Sequence, residues 1–316
     1  MAMVTKYVFG PVPSRRLGRS LGVNNIPRKY CSYSCIYCQI GRTTNLEVNR
    51  KEFYPPSEII DEVIYAVSKL ESDIDYITIV PDGEPTLDIN LGVLAESINM
   101  ELEVPLAILT NSSLIYRKDV REDLMPFDLV SLKIDAVSER IWKVINRPHP
   151  ELKIERILKG IVDFSHEFKG KIITETMLIK GVNDSKDEIL RILEFISQMR
   201  IDRAYLAIPT RPPAEKWVKP ATEETITFAF QLFKERLGDK VELLITPEKG
   251  EFLAIEDPVS DFLRIISVHP MRLRDAYRFL EKAGFDATRI IEELIKQEKV
   301  AVINYKEEKF VIIRYS

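Results

Sequence analysis

The three cysteines of this 316-residue chain stand within eight positions, as Cys31-Ser-Tyr-Ser-Cys35-Ile-Tyr-Cys38. An odd trio with no partner elsewhere cannot form a disulfide framework and points to metal or redox chemistry in a reducing compartment. Thiolates at this spacing can reach three corners of one cubane from a single loop. A [4Fe–4S] cluster held wholly by protein takes four cysteines, so three leave one iron open to an outside ligand. The competing readings are zinc held by three cysteines and a histidine, or burial as small hydrophobes. Zinc would need His149, His166 or His269, all distant in sequence.

Other residues of chemical interest follow short apolar runs. Val80-Pro-Asp-Gly83-Glu84-Pro85-Thr86 reads either as a plain turn or as a carboxylate presented between Gly and Pro. Thr110-Asn111-Ser112 and Ser131-Leu-Lys133-Ile-Asp135 end the next two runs. Their ordinary readings are turn formers and, for Asp135, a cap for a helix beginning near Ser138. Lys133 shares a strand face with Asp135, as its ion-pair partner or as a substrate contact. Glu175 shares a face with Met177, and an acid entering an interior needs a partner, for which Lys133 is available. Arg15, Arg16, Arg19, Arg28, Lys29 and Arg42 crowd around the cysteines, while Arg147 and His149 sit in the Pro-locked segment Asn146–Pro150. Arg211 lies in Thr210-Arg211-Pro-Pro213. These are candidates for RNA phosphates or a phosphorylated substrate, against a solvated face, compensation of cluster charge, or packing.

Such residues need a scaffold that gathers strand ends. Leu21–Ile26 reads as a first strand, and helical and β-branched patterns then alternate: Ser57–Leu70 and Asp75–Val80, Leu91–Met100 and Pro105–Thr110, Tyr116–Met125 and Asp128–Ile134. Ile154–Phe168 and Ile172–Ile179, Lys186–Met199 and Ala204–Ile208, then Thr222–Leu237 complete the series. About six β/α units imply a parallel sheet with outer helices, too few for an eight-fold barrel, so an open (β/α)6 partial barrel is expected. Its chemistry belongs at the carboxyl ends of the strands. Val241–Ile245 and Glu251–Ile255 read as a strand pair closing or crossing the sheet. Asp257–Pro258 divides residues 1–257 from a smaller unit, 258–316. There Asp261–Ile266, Leu273–Ala283 and Thr288–Gln297 read as three helices, and Val300–Ile303 with Phe310–Ile313 as a hairpin, the pattern of a winged-helix-like domain.

Composition excludes several classes. With 45% hydrophobic and 30% charged residues the chain is globular, and a net charge of −4 is not that of a basic nucleic-acid coat protein. No apolar run approaches the ~20 residues of a membrane span, and Met1–Gly10 lacks the look of a signal peptide, so a cytoplasmic protein is expected. Ser260–Ser316 holds eleven Lys and Arg against nine Asp and Glu. Glu292 and Glu293 in its third helix argue against DNA recognition.

CxxxCxxC with Tyr37 before its last cysteine resembles the radical S-adenosylmethionine (SAM) superfamily, whose fold is a partial (β/α)6 barrel. The resemblance implies that Cys31, Cys35 and Cys38 hold a [4Fe–4S] cluster whose open iron takes the amino and carboxylate groups of SAM. An electron then cleaves SAM to methionine and a 5′-deoxyadenosyl radical that abstracts hydrogen from a substrate. Gly83-Glu84-Pro85 is similar to the family's GGEP motif, with Asp82 in place of the first glycine, and implies a contact to the SAM ammonium. By the same resemblance Asn111, Ser131 and Asp135 meet the ribose and carboxylate, and Met177 and Ile208 line the adenine. Phe9–Gly22, Gln39–Thr44, Ser131–Asp135 and Asn146–Pro150 look like the wyosine-synthase-like iron–sulfur oxidoreductases. Wyosine synthase itself is implied to use a second cluster held by additional cysteines, which this chain lacks, so the resemblance is to a single-cluster member and the wyosine reaction itself is not expected. An external one-electron donor of flavodoxin or ferredoxin type is implied, and the substrate is expected in nucleotide or tRNA-base modification. The rivals are an activase or modifying enzyme acting on a protein or small molecule, and a non-catalytic iron–sulfur regulator.

Overall fold

The computed structural model describes residues 6–70, 73–246, 248 and 250–314; the first five residues of the expected leaderless start, and Tyr315 and Ser316 of the C-terminal unit, lie outside them. Two strands open the chain, β1 (Val8–Ser14) and β2 (Gly18–Val23), and a two-residue ladder, β3 (Tyr30–Cys31) and β4 (Asn45–Leu46), holds the cysteine segment. Then follow α1 (Pro56–Lys69), β5 (Tyr76–Ile79), α2 (Leu91–Glu101), β6 (Leu106–Thr110), α3 (Lys118–Leu124) and β7 (Leu129–Lys133). Next come α4 (Glu139–Ile145), α5 (Ile154–Glu167), β8 (Lys171–Met177), α6 (Lys186–Ile196), β9 (Arg203–Ala207), α7 (Glu223–Leu237) and β10 (Val241–Leu244). The helices start where the chemistry allows. Pro sits at the first position of α1, and the hydroxyls of Ser185 and Thr222 cap α6 and α7 by accepting from Glu188 N and Thr225 N.

Eight strands form one curled sheet in the order β1-β2-β5-β6-β7-β8-β9-β10. From β2 to β10 every neighbour pair is parallel, which gives six β/α units and a seventh parallel strand, an open partial barrel. Two expectations are corrected. Val241–Leu244 pairs with β9 and not with Glu251–Ile255, which forms no strand; instead Leu253 N donates to Pro11 O along the outer side of β1 (3.1 Å). The first strand is preceded by β1, which Gly10, Pro11 and Pro13 disguise as a turn. Proline is tolerated there because β1 is an edge strand with an irregular register between Phe9 and Val12.

On the inner face Leu17 from the β1–β2 turn packs with Ala107, Leu129, Ile173, Tyr205, Ala207 and Leu244. On β7 and β8 the same face turns polar toward the strand ends, at Ser131, Lys133 and Glu175. The last part of the chain comprises α8 (Pro258–Val268), β11 (Met271–Arg272), α9 (Leu273–Lys282), α10 (Ala287–Lys296), β12 (Val300–Tyr305) and β13 (Glu308–Ile313), with sheet order β11-β13-β12. Its hydrophobic core, built on Phe262, Leu280, Val300 and Val311, also takes in Phe9 and Val12 of β1. The C-terminal unit therefore packs against an edge of the barrel. Among the described residues no helix is long and apolar enough to cross a membrane.

Candidate active site

The cysteine segment lies in the first crossover, between β2 and α1, and main-chain bonds pin it across the mouth of the barrel. Lys29 N donates to Asp82 O (2.9 Å) and Glu84 N to Tyr30 O (3.0 Å), docking it on the end of β5. A Cβ on Gly83 would come 1.8 Å from Tyr30 O, so only glycine permits this approach. On the far side Ile36 N donates to Ile145 O (3.0 Å), His149 N to Ser32 O (2.9 Å) and Glu215 N to Ile36 O (3.1 Å). Buried Ile36 and Tyr33 anchor the segment, the Tyr33 hydroxyl accepting from Trp142 Nε1 (3.0 Å).

Each sulfur faces one nitrogen. Asn111 Nδ2 is 3.5 Å from Cys31 Sγ, Asn146 Nδ2 is 3.4 Å from Cys35 Sγ, and Lys29 Nζ is 3.9 Å from Cys38 Sγ. Burial, with repulsion from the neighbouring acidic groups, pushes the Cys35 thiol up to about 12 and Cys31 higher still, which favours the protonated form of these two when no cation is bound. A bound metal group reverses that preference. Among the described residues no three His, Cys, Asp or Glu side chains converge on a single metal-ion position. The histidine side chains bond elsewhere: His149 to Glu151 N, His166 to Gln198 O and His269 to Arg211. A donor set of three half-buried thiols, each with its own N–H, fits an iron–sulfur cluster better than a Cys3His zinc ion.

The strand ends carry carboxylates that are largely spoken for. Glu84, expected to reach the SAM ammonium, is fully buried. Its Oε1 accepts from Thr86 N (3.2 Å), Thr86 Oγ1 (2.6 Å) and Thr110 Oγ1 (2.6 Å), and its Oε2 from Asn111 N (2.7 Å). Burial raises its carboxyl against those four donors. The side chain ties the end of β5 to that of β6 and so aims Asn111 at Cys31. Asp135 is engaged likewise, by Met177 N (2.9 Å), Asn146 Nδ2 (2.9 Å), Lys133 Nζ (3.2 Å) and the Tyr37 hydroxyl. Asp82 differs. It is buried, and its Oδ1 has no hydrogen-bond partner. Burial pushes its carboxyl up to about 6, with Arg28 and Lys29 pulling it back.

Inside the mouth the period of two aligns Ser131, Lys133, Glu175 and Met177 on the lumen. Lys133 Nζ meets Glu175 Oε1 at 2.9 Å, the pairing anticipated for that acid, and Arg16 Nη1 closes on the other oxygen. A polar chain thus runs Cys35–Asn146–Asp135–Lys133–Glu175–Arg16. Ile208 lies half-buried just beyond β9.

The expected basic collar is not a continuous solvated face. Arg42 grips Glu215 with two bonds (2.8 and 2.9 Å), Arg147 bonds the same carboxylate, and Lys29 donates to Gly41 O. Arg15 reaches Glu248 (3.4 Å), as does Arg211 (2.6 Å). Arg19 is at the wrong end of the barrel: it bonds Asp73 O and Asp75, which precede β5, whereas the cysteines follow the carboxyl ends. Buried acids require counterions, and these arginines supply them. Nothing local in the sequence marks the partners of Asn146, of Asn183, whose Nδ2 donates to Asp135 O (2.7 Å) and Met177 O (2.8 Å), of Glu215, of Glu248, or of Arg272, 3.7 Å from Glu248; of these Asn146 alone falls in a segment with a sequence signal, Asn146–Pro150.

A curled parallel half-barrel with three thiols on its first crossover defines the class of the molecule, a radical SAM barrel. Residues 25–196 match the Radical SAM superfamily. A UPF0026 protein of Methanocaldococcus jannaschii is 45% identical over 304 residues, covering 96% of this chain and 94% of that one. One from Helicobacter pylori is 34% identical over 298 residues, covering 93% and 94%. A structure of TYW1 with a lysine–pyruvate adduct bound shares the fold, with TM-score 0.55 and 19% identity over 69% of this chain and 73% of that one. The chain belongs to the radical SAM superfamily and to the UPF0026 family within it.

Proposed function

We propose that the protein is an enzyme that uses a [4Fe–4S] cluster on Cys31, Cys35 and Cys38 to cleave SAM reductively and abstract hydrogen from a substrate in the barrel. The observation that carries this is the trio of thiols on one docked loop, each facing a nitrogen donor, above a polar lumen. A bound cluster would pass on one electron from the external donor to SAM, whose S–C5′ bond would then cleave to methionine and a 5′-deoxyadenosyl radical. The chain's own residues orient and shield. Asn111, Asn146 and Lys29 fix the sulfurs, and Gly83 and Glu84 hold the loop and the β6 end in place. Ser131, Met177 and Ile208 line the SAM side of the lumen. Tyr37 and Asp135 brace the far wall, and the Lys133–Glu175–Arg16 row faces the substrate.

The electron comes from an external flavodoxin- or ferredoxin-type donor in a reducing, cytoplasmic setting. Residues 258–316, read as a winged-helix-like unit, cover the barrel edge and orient substrate. The internal pairing of the collar favours a small or locally recognised substrate over a long RNA backbone. Anaerobic reconstitution tests the reading: about four irons and four sulfides per chain, with slow release of 5′-deoxyadenosine on adding SAM and reductant, are expected. Stoichiometric zinc with no charge-transfer absorption overturns it.

A further inference from the structure

Where the barrel edges meet the C-terminal unit, three guanidiniums from three parts of the chain surround one carboxylate. Arg211, just after β9, is 2.6 Å from Glu248; Arg15, in the β1–β2 turn, is 3.4 Å away; and Arg272, at β11, is 3.7 Å away. The Arg211 and Arg272 side chains and the Glu248 side chain are about nine-tenths buried. His269 adds no negative charge. Its Nε2 lies 2.6 Å from Arg211 Nη2, and since a guanidinium only donates, the ring accepts and is neutral. Carbonyls absorb part of the donor capacity, Thr246 O from Arg15 and Pro270 O from Arg211. The buried Nε of Arg272 has no hydrogen-bond partner. The partly exposed Glu308, 3.7 Å from the same Nε, is a second acid at the cluster, so three guanidiniums share two carboxylates, and the remaining positive charge costs desolvation energy unless a further anion joins them.

A cleft of about 380 Å³ opens beside this cluster. Its lining includes Gln39, which accepts from Arg211 Nη1, Pro270, whose carbonyl accepts from Arg211 Nε, and Pro212, the next residue in the chain. Ile266, Ile303 and Ile313 of the C-terminal unit supply an apolar wall. Gln39 follows Cys38 directly, so the cleft borders the cysteine loop, and the arginines lie behind its wall, Arg211 bonding Gln39 and Pro270 of that wall.

We infer that Arg15, Arg211 and Arg272 form a binding site for an oxyanion carried by the substrate, phosphate monoester or carboxylate, and that Glu248 holds the place of that anion until it is displaced. This deepens the radical SAM reading, on which the word substrate rests, and makes the active site composite, since Arg272 and His269 come from the C-terminal unit. Planar guanidiniums suit either oxyanion through paired N–H bonds.

The test titrates inorganic phosphate and, separately, acetate into full-length, cluster-loaded protein by calorimetry, without SAM or reductant. Saturable binding of one anion is expected, the tighter of the two naming the substrate's group. Arg211→Gln and Arg272→Gln should each weaken it at least about ten-fold, and Glu248→Gln should tighten it about ten-fold. Arg289→Gln, on the exposed face of α10, should leave it unchanged. Because Glu248→Gln predicts a gain, a misfolded arginine variant cannot imitate support. No saturable binding of either anion, or a Glu248→Gln protein that binds no tighter, overturns the inference and makes the cluster a structural staple. Such a failure leaves cluster assembly and SAM cleavage standing, whereas a chain that takes up no cluster strikes the radical SAM reading alone.

Discussion

The mouth of the barrel and the seam with the C-terminal unit are both polar and buried, yet they are built in opposite ways. At the mouth, backbone amides, two asparagines and a glycine contact hold the cysteine segment. Its carboxylates Glu84 and Asp135 are satisfied by neutral donors as much as by cations. At the seam, charges hold charges: Arg15, Arg211 and Arg272 converge on Glu248. A frame built mainly of amides, with Lys29 the cation that faces a sulfur, fixes geometry and leaves a cluster's charge to be tuned by hydrogen bonds. An unbalanced charged pocket instead stores an attraction for something not yet there. The first is a site for a resident group and the second for a visiting one.

The comparison breaks hardest at Gly83. Gly83→Ala drives a methyl group to 1.8 Å from Tyr30 O, so the loop cannot dock, and cluster uptake after reconstitution should be lost. Gly41→Ala, where a Cβ meets nothing within 4 Å but φ is +89°, should cost only about 1–2 kcal/mol in a denaturation midpoint. Next is Glu84→Ala, which strands four donors at the mouth; a loss on the order of 4 kcal/mol in urea unfolding is expected. Glu248→Gln should lower stability by a comparable amount when no anion is added, because it removes the carboxylate that three guanidiniums share, and added phosphate should restore part of the loss.

Asp82→Asn gives a pH-dependent gain. A carboxyl pushed up to about 6 in the fold favours the folded state only below its ordinary range, and that favour is lost as pH rises from about 4 through about 6. Cluster-free Asp82→Asn should therefore be more stable than wild type at pH 8 by about 3 kcal/mol, the difference vanishing below pH 4. A constant difference across that range would show that Asp82 ionises normally. The smallest effect is electronic. Asn146→Ala removes the N–H 3.4 Å from Cys35 Sγ, so the cluster should assemble but with a more negative reduction potential, measured by redox titration.

The contrast also explains what could be read from the chain beforehand. Cysteine spacing, the Gly-Glu-Pro turn and the alternation of β and α patterns are local, and they located the barrel and the loop that docks on its mouth. Lys133 is offered as the partner of Glu175 because an acid entering the interior needs one, and the two do meet. What stayed hidden is long-range. Glu248 lies 37 residues after Arg211 and 24 before Arg272 in a segment without periodicity, and no local pattern reports such a meeting. Glu84 shows the same limit: a motif names the residue, but only the fold shows that Thr86, Thr110 and Asn111 also bond its oxygens. Arg19 was placed near the cysteines by sequence proximity, while the strand between them carries it to the opposite end.

The central claim, that the cysteine loop holds a cluster with one iron open to SAM, is tested most directly by electron paramagnetic resonance of the reduced, reconstituted protein with and without SAM. The account predicts a [4Fe–4S]⁺ signal that changes in shape and position at saturating SAM, and no signal when Cys31, Cys35 and Cys38 are replaced by alanine. A reduced cluster whose spectrum is untouched by SAM would contradict it.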